Sequence, residues 1–298
     1  MDHAAPRPLE GIAWMVATGV CFVAVTVVVK FSAQDLPAAQ AGFLRYLLGL
    51  VFLLPVARTL LSARLVRRDW VLFGARGTVH ALGVALWFYA MTRLPIAEVT
   101  AMNYLAPVYV TLGAALFLGE RLALRRVLAI AAALLGAFVI LRPGFREVSA
   151  AHGAMVLTAM FFGASYLLTK RLSDDHGAPM IVAMLSITVT IALAPLAALD
   201  WVRPTPVDLA WMFLVAVFAT AGHYAMARAF RVAPVMVTQP VTFLQLVWAV
   251  LLGWAIFAEP PDVWVVLGGA IILSAVSFIA WREAVAKRRA VSPPPPDP

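Results

Sequence analysis

Along the chain, uncharged apolar runs of about twenty residues alternate with short polar connections, and the charged residues fall almost entirely in the connections. A bilayer core about 30 Å thick takes roughly 20 helical residues, and backbone in lipid must satisfy its own hydrogen bonds. The pattern therefore predicts ten membrane-spanning helices. They are Gly11–Val29, Pro37–Ala57, Trp70–Thr92, Pro95–Gly119, Val127–Leu141, Val148–Thr169, Gly177–Leu199, Leu209–Ala227, Val232–Ala258 and Val263–Trp281. The fifth is short unless Arg125 and Arg126 snorkel, and the ninth is long enough to tilt or kink.

Composition agrees with this reading. The chain is 63% apolar and 13% charged, with a mean hydropathy of +0.91, whereas a soluble domain carries about 45–50% apolar and about 25% charged residues. The first run is longer than a signal h-region and lacks a charged n-region, so it is expected to stay in the mature protein. Cys21 is the single cysteine, which excludes a disulfide framework and a cysteine metal cluster. The net charge of +8 invites thoughts of nucleic acid, but the positions of the charges remove that partner. With the N-terminus inside, sixteen Lys and Arg fall in inner segments and five in outer ones. By the positive-inside rule both termini are cytoplasmic, and the expected location is a bacterial inner membrane.

The chain also repeats. An offset of 139 residues brings Asp69 onto Asp208, Gly83 onto Gly222, Ala90 onto Ala229, Pro95 onto Pro234 and Glu120 onto Glu259. An offset of 140 pairs Thr18, Phe22, Ala24 and Lys30 with Thr158, Phe162, Ala164 and Lys170. Five spans repeated means that the halves insert in opposite senses, the inverted layout of many secondary transporters. The predicted fold is therefore all-α, ten transmembrane helices as two inverted five-helix repeats. A cytoplasmic N-terminus (1–8) precedes repeats at 9–142 and 147–282, and a disordered cytoplasmic tail (283–298) follows. Pro95 and Pro234 suit the first turn of the fourth and ninth spans, where a missing N–H is harmless. Glu120 and Glu259 close those spans, where the helix dipole disfavours an anion, so each is expected to turn toward the free N–H groups opening the next helix.

Ten spans, the five-span repeat, a Pro opening and a Glu closing the fourth span of each half, and an Arg in the second span resemble the drug/metabolite transporter superfamily, in particular its bacterial EamA branch. The resemblance is carried by Arg93-Leu-Pro-Ile-Ala-Glu-Val-Thr-Ala to Gly119-Glu-Arg121, echoed from Val232-Ala-Pro to Ala258-Glu259, and it extends from about Gly11 to Trp281. It implies a carrier moving a small metabolite, usually outward, by alternating access through a central cavity lined by the first four spans of each half. The fifth span of each half would be peripheral, and sometimes part of a homodimer contact. The second half has no counterpart of Arg45.

Ionisable groups inside a membrane are costly and should face the bundle interior or water. Arg45, Arg76, His80 and His223 are the candidates, and Arg76 and His80 share one face of the third span, which Gly83, Val84 and Trp87 continue. Asn103 and Tyr104 sit mid-span before Pro107, which can kink the fourth helix. Ser165 and Tyr166 in the sixth span, His223 and Tyr224 in the eighth, and Gln239, Thr242 and Gln245 in the ninth complete the polar set. Lone Ser, Thr or Gln residues are more often interhelical glue than substrate contacts. Glu98 suits a helix first turn and, like His80 and His223, could carry a proton. The substrate path is thus read as Arg45, Arg76, His80, Trp87, Asn103, Tyr104, Tyr166, His223, Gln239 and Gln245.

No zinc-protease, nucleophile-elbow or phosphate-loop motif occurs, so neither catalysis nor a metal or cofactor is expected. The partners are the lipid bilayer and a small-molecule substrate. Histidines, arginines, amides and aromatics suit an amino acid or an amino-acid-derived compound such as a metallophore, carried outward. The alternatives are an uptake carrier for a vitamin-like or nucleoside-like metabolite, for example riboflavin or S-adenosylmethionine, and a non-transport scaffold or channel.

Overall fold

The computed structural model describes residues 8–32, 35–117, 124–145, 147–172, 175–232, 241 and 243–291, and the regular elements among them are helices. The first span is α1 (Pro8–Ser32). The second is α2 (Ala38–Gly49), continued by a 3₁₀ segment (Leu50–Val56) and α3 (Ala57–Ser62). Pro55 lies in that 3₁₀ segment, where its missing N–H already disqualifies a regular α-turn. The third span is α4 (Arg67–Met91), and the fourth is split into α5 (Ile96–Asn103) and α6 (Ala106–Phe117). Then come α7 (Leu124–Leu141), α8 (Ala150–Leu172), α9 (Ala178–Leu199), α10 (Pro206–Val232), α11 (Phe243–Phe257) and α12 (Val263–Val291).

Eight of these spans are long and apolar enough to cross a bilayer, and only 28% to 44% of each apolar window is buried within the protein. More than half of the residues in each window therefore keep some exposed surface, as lipid contact requires. The other two predicted spans are the split fourth and the ninth, of which α11 is the described part. The fourth breaks at Tyr104–Leu105, whose N–H groups bond three residues back to Ala101 and Met102 at 3.2 and 3.1 Å. Pro107 is the cause, since a proline cannot donate to the carbonyl four residues earlier, here that of Asn103. The break thus falls ahead of the proline rather than at it.

The two halves interleave. α1 packs on α10, α4 on α8, α2 on α9, α5 on α11 and α7 on α12, so each of these pairings joins one repeat to the other. Exchanging the halves turns the α1–α10 pair into the α8–α4 pair, as a two-fold relation demands. Sequence repeats recur as local geometry: Asp69 Oδ2 accepts the N–H of Val66 at 3.0 Å before α4, and Asp208 Oδ2 accepts that of Thr205 at 2.8 Å before α10. α7 and α12 pair at the periphery through glycines, where a Cβ on Gly136 would lie 2.7 Å from the Gly268 carbonyl oxygen. Small residues there let two backbones touch, the usual way that membrane helices gain packing contact.

Candidate functional site

A cavity of about 180 Å³ lies between the halves. α1 contributes Phe22, Val23, Val25 and Thr26; α2 contributes Arg45 and Tyr46; α4 contributes His80, Val84, Trp87 and Phe88. Val99, Thr100, Asn103 and Tyr104 come from the broken fourth span. Phe162 and Tyr166 of α8, Val215, Ala219 and His223 of α10 and Gln245 of α11 close the other side. The break that Pro107 forces is what turns Asn103 and Tyr104 toward this space, and the Asn103 Oδ1 is buried without a hydrogen-bond partner among the described residues.

The charged and aromatic groups are held in a definite order. The Arg45 guanidinium carbon sits 3.9 Å from the centre of the Tyr46 ring, a cation–π contact. The Tyr46 hydroxyl lies 3.0 Å from His80 Nε2, and the Ser165 hydroxyl lies 3.1 Å from His80 Nδ1. Both His80 nitrogens are therefore committed, and its ring stacks on Phe162 with centroids 4.8 Å apart. His223 is bound differently. Its Nδ1 donates to the Ala219 carbonyl at 2.7 Å, and the Phe22 ring meets it edge-on at 5.0 Å.

Phe22 and Phe162 are repeat partners, so each half lends one phenylalanine to a histidine of the other. Two repeat-related glycines make room for them: a Cβ on Gly83 would lie 2.8 Å from the Phe162 ring, and one on Gly222 would lie 3.0 Å from that of Phe22. The histidines themselves are not repeat partners, because His80 aligns with Ala219 and His223 with Val84 at the offset of 139.

Of the residues read from the sequence as a path, Arg45, His80, Trp87, Asn103, Tyr104, Tyr166, His223 and Gln245 all line this cavity. Arg76 does not. One turn before His80, it is buried against α9, where its Nη1 donates to the Ile181 carbonyl at 2.7 Å. Gln239 and Thr242, like Pro234 and Glu120, lie outside the described residues. Tyr224 is turned away and makes an edge contact with Trp14. Sequence reasoning missed Tyr46, Phe22, Phe162, Thr26 and Thr100 as lining residues. A signal existed for the two phenylalanines, since they are among the positions that the repeat matches.

Glu98 stands apart from the cavity. Its Oε2 lies 3.0 Å from His152 Nε2, and both side chains are buried. The Ser149 N–H donates to His152 Nδ1 at 3.1 Å, so the neutral ring carries its proton on Nε2 and donates it to the Glu98 carboxylate. Glu259 also departs from expectation. It turns not to the next helix, whose Trp264 N–H is bonded by Asp262, but to the first N–H of α5: Ile96 donates to Glu259 Oε2 at 2.9 Å. Its other oxygen pairs with Lys30, which also donates to the Leu94 carbonyl at 2.7 Å. Pro95 is the residue just before α5, one position earlier than its N-terminal signal suggests. Arg142 pairs with Asp262, so among the described residues three side-chain pairs, together with the Ile96–Glu259 bond, tie the first half to the second at this end of the molecule. At the other end His176 Nε2 lies 3.2 Å from Asp69, and Arg68 pairs with Asp175 in a half-exposed contact worth little. Among the described residues, no three His, Cys, Asp or Glu side chains converge as a metal site would need.

An all-helical, two-repeat membrane bundle with a polar and aromatic cavity at its centre is the architecture of a membrane carrier. The chain belongs to the EamA-like transporter family, whose sequence profile matches residues 9–142 and 150–281. It is a multi-pass membrane transporter of small metabolites. It is 33% identical over 287 residues to a riboflavin transporter of Rhizobium johnstonii, covering 95% of both chains. It is 31% identical over 292 residues to a riboflavin transporter of Vibrio cholerae, covering 95% of this chain and 97% of that one. A pseudopaline exporter of Pseudomonas aeruginosa is 26% identical over 268 residues, covering 89% and 94%.

Proposed function

We propose that this chain carries riboflavin, or a flavin closely similar to it, across a bacterial inner membrane by alternating access. One observation carries the reading: the cavity between the repeats is walled by the rings of Phe22, Tyr46, Trp87, Tyr104, Phe162 and Tyr166, with the Arg45 guanidinium and without a carboxylate among its described lining residues. Aromatic walls suit a flat heteroaromatic ring, and an unneutralised guanidinium suits its carbonyl oxygens. The same charge disfavours a cation such as S-adenosylmethionine. Likeness over nearly the full length to two riboflavin transporters supports the assignment.

A second reading is an amino-acid-derived metabolite bearing carboxylates, carried outward. It is favoured by Arg45, which has no acidic partner among the described residues, and by the likeness to the pseudopaline exporter. Proteoliposome counterflow separates the two. Under the flavin reading, labelled riboflavin exchanges against internal riboflavin and is not displaced by excess amino acids or S-adenosylmethionine. Absence of riboflavin counterflow, together with exchange of a carboxylate-bearing compound, would replace it with the second reading.

For orientation we propose both termini inside, on the count of sixteen inner to five outer basic residues. Enzymatic reporter fusions after Asp69 and Arg171 should be active in the cytoplasm. Periplasmic activity at both would reverse the assignment.

A further inference from the structure

Two histidines face the cavity, and their hydrogen bonds give them different work. His80 has a hydroxyl on each nitrogen, Ser165 on one side and Tyr46 on the other, so it has nothing left to offer a ligand. His223 has one nitrogen engaged. Its Nδ1 faces the Ala219 carbonyl at 2.7 Å, and a carbonyl oxygen can only accept, so the proton of the neutral ring must sit on Nδ1. Nε2 is left as a bare acceptor, without a hydrogen bond among the described residues, on a ring that lines the cavity. Phe22 packs edge-on against the imidazole, and the missing side chain at Gly222 is what allows Phe22 to sit there. The direction of Nε2 is thus set by packing as well as by the bond to Ala219. Arg45 lies within electrostatic reach of His223, and its N–H donors make no hydrogen bond to a described residue. The cavity therefore presents a fixed acceptor and a free set of donors on neighbouring walls.

Resting on the flavin reading of this cavity, we propose that His223 Nε2 reads a ring imide of the substrate. It would accept the N–H that lies between two ring carbonyls, while Arg45 donates to one of those carbonyls. His223 is then the specificity-determining residue, and His80 is a positioning residue that holds Tyr46 and Phe162. A ring methylated at that nitrogen has no N–H to give, and it places a carbon where Nε2 needs a proton. A site built to bond a substrate N–H rejects the analogue lacking it far more strongly than an apolar pocket rejects an extra methyl.

The test is counterflow of labelled riboflavin in proteoliposomes, with unlabelled riboflavin or 3-methylriboflavin as competitor. With the wild-type protein, the methyl analogue should compete at least about tenfold more weakly than riboflavin. His223→Ala should raise the half-saturating riboflavin concentration about tenfold and bring the two competitors to within about twofold of each other. His223→Gln, whose amide oxygen can still accept, should recover part of the discrimination. Equal competition by the two compounds in the wild type would overturn the proposal while leaving the flavin reading in place, and this comparison needs no variant to fold. Undiminished discrimination in His223→Ala would overturn it as well. Absence of riboflavin counterflow by the wild type would remove the flavin reading and this proposal with it.

Discussion

His80 shows what a buried imidazole needs in a membrane interior, because the hydroxyls of Tyr46 and Ser165 satisfy both of its nitrogens. Tyr46→Phe would leave Nε2 without a partner, and an unsatisfied buried polar atom costs about 1–3 kcal/mol. A lower unfolding temperature of the detergent-solubilised variant is the expected result, and an unchanged one would mean that the hydroxyl does not hold the ring. The two arginines of the second and third spans separate in the same way. Arg45 faces the cavity and stacks on Tyr46, whereas Arg76 is tied to the Ile181 carbonyl of α9. Arg45→Ala should keep membrane abundance near normal and raise the half-saturating substrate concentration about tenfold, the effect of losing a hydrogen bond from a charged donor. Arg76→Ala should instead lower abundance or thermal stability, with half-saturation little changed. Measuring both quantities for both variants decides the matter, and a Km effect confined to Arg76→Ala would reverse the assignment.

At the scale of the element, the end of α11 carries a visible mismatch between residue and backbone. Ala258 has φ +54°, in the left-handed region, while the Glu259 N–H closes the helix by bonding to the Gly253 carbonyl at 3.0 Å. A left-handed residue just past the end of a helix is usually glycine, and the repeat partner of Ala258 in the sequence is Gly119. The turn aims Glu259 at the N–H of Ile96 and at Lys30, so the strain is retained where two spans of the other half are fastened. Ala258→Gly should relieve about 1 kcal/mol, less the added freedom of the unfolded chain. A rise in unfolding temperature with transport unchanged is expected, and a fall would show that the alanine side chain makes a contact worth more than the strain.

For the whole molecule, the polar links at the Lys30 end join one repeat to the other, so any opening there must break or stretch them. Glu98 and His152 form the most buried of these links. We propose that transport is driven by protons, with Glu98 as the carrier, because it is a buried carboxylate at a contact between the halves that alternating access would have to open. Glu98→Gln preserves an acceptor for the His152 N–H but removes the titrating group. In proteoliposomes without a substrate gradient, an imposed pH gradient should drive accumulation by the wild type and not by Glu98→Gln, while counterflow continues in both. If no pH gradient of either sign moves substrate uphill, the protein is a facilitator and the proton role fails.

The spans, their number and the five-helix repeat were legible in the sequence because lipid imposes a one-dimensional rule: about twenty apolar residues, with charges at the ends. Pro107 announced the irregular fourth span, and repeat matching singled out Phe22, Phe162, Gly83 and Gly222 before their contacts were known. The cost of burying polar groups pointed at Arg45, His80, Asn103 and His223. It could not tell the face of α4 that carries His80 from the neighbouring turn that carries Arg76, since a shared helix face fixes direction only until another helix covers part of it. Nor could it foresee that Glu259 caps α5 of the opposite repeat, or that Glu98 meets His152, because those partners are 163 and 54 residues away and come together only when the repeats interleave. Local periodicity sets which groups must be buried. Which partner each finds, and hence which nitrogen of His223 is left open to the cavity, is decided by how the two halves pack.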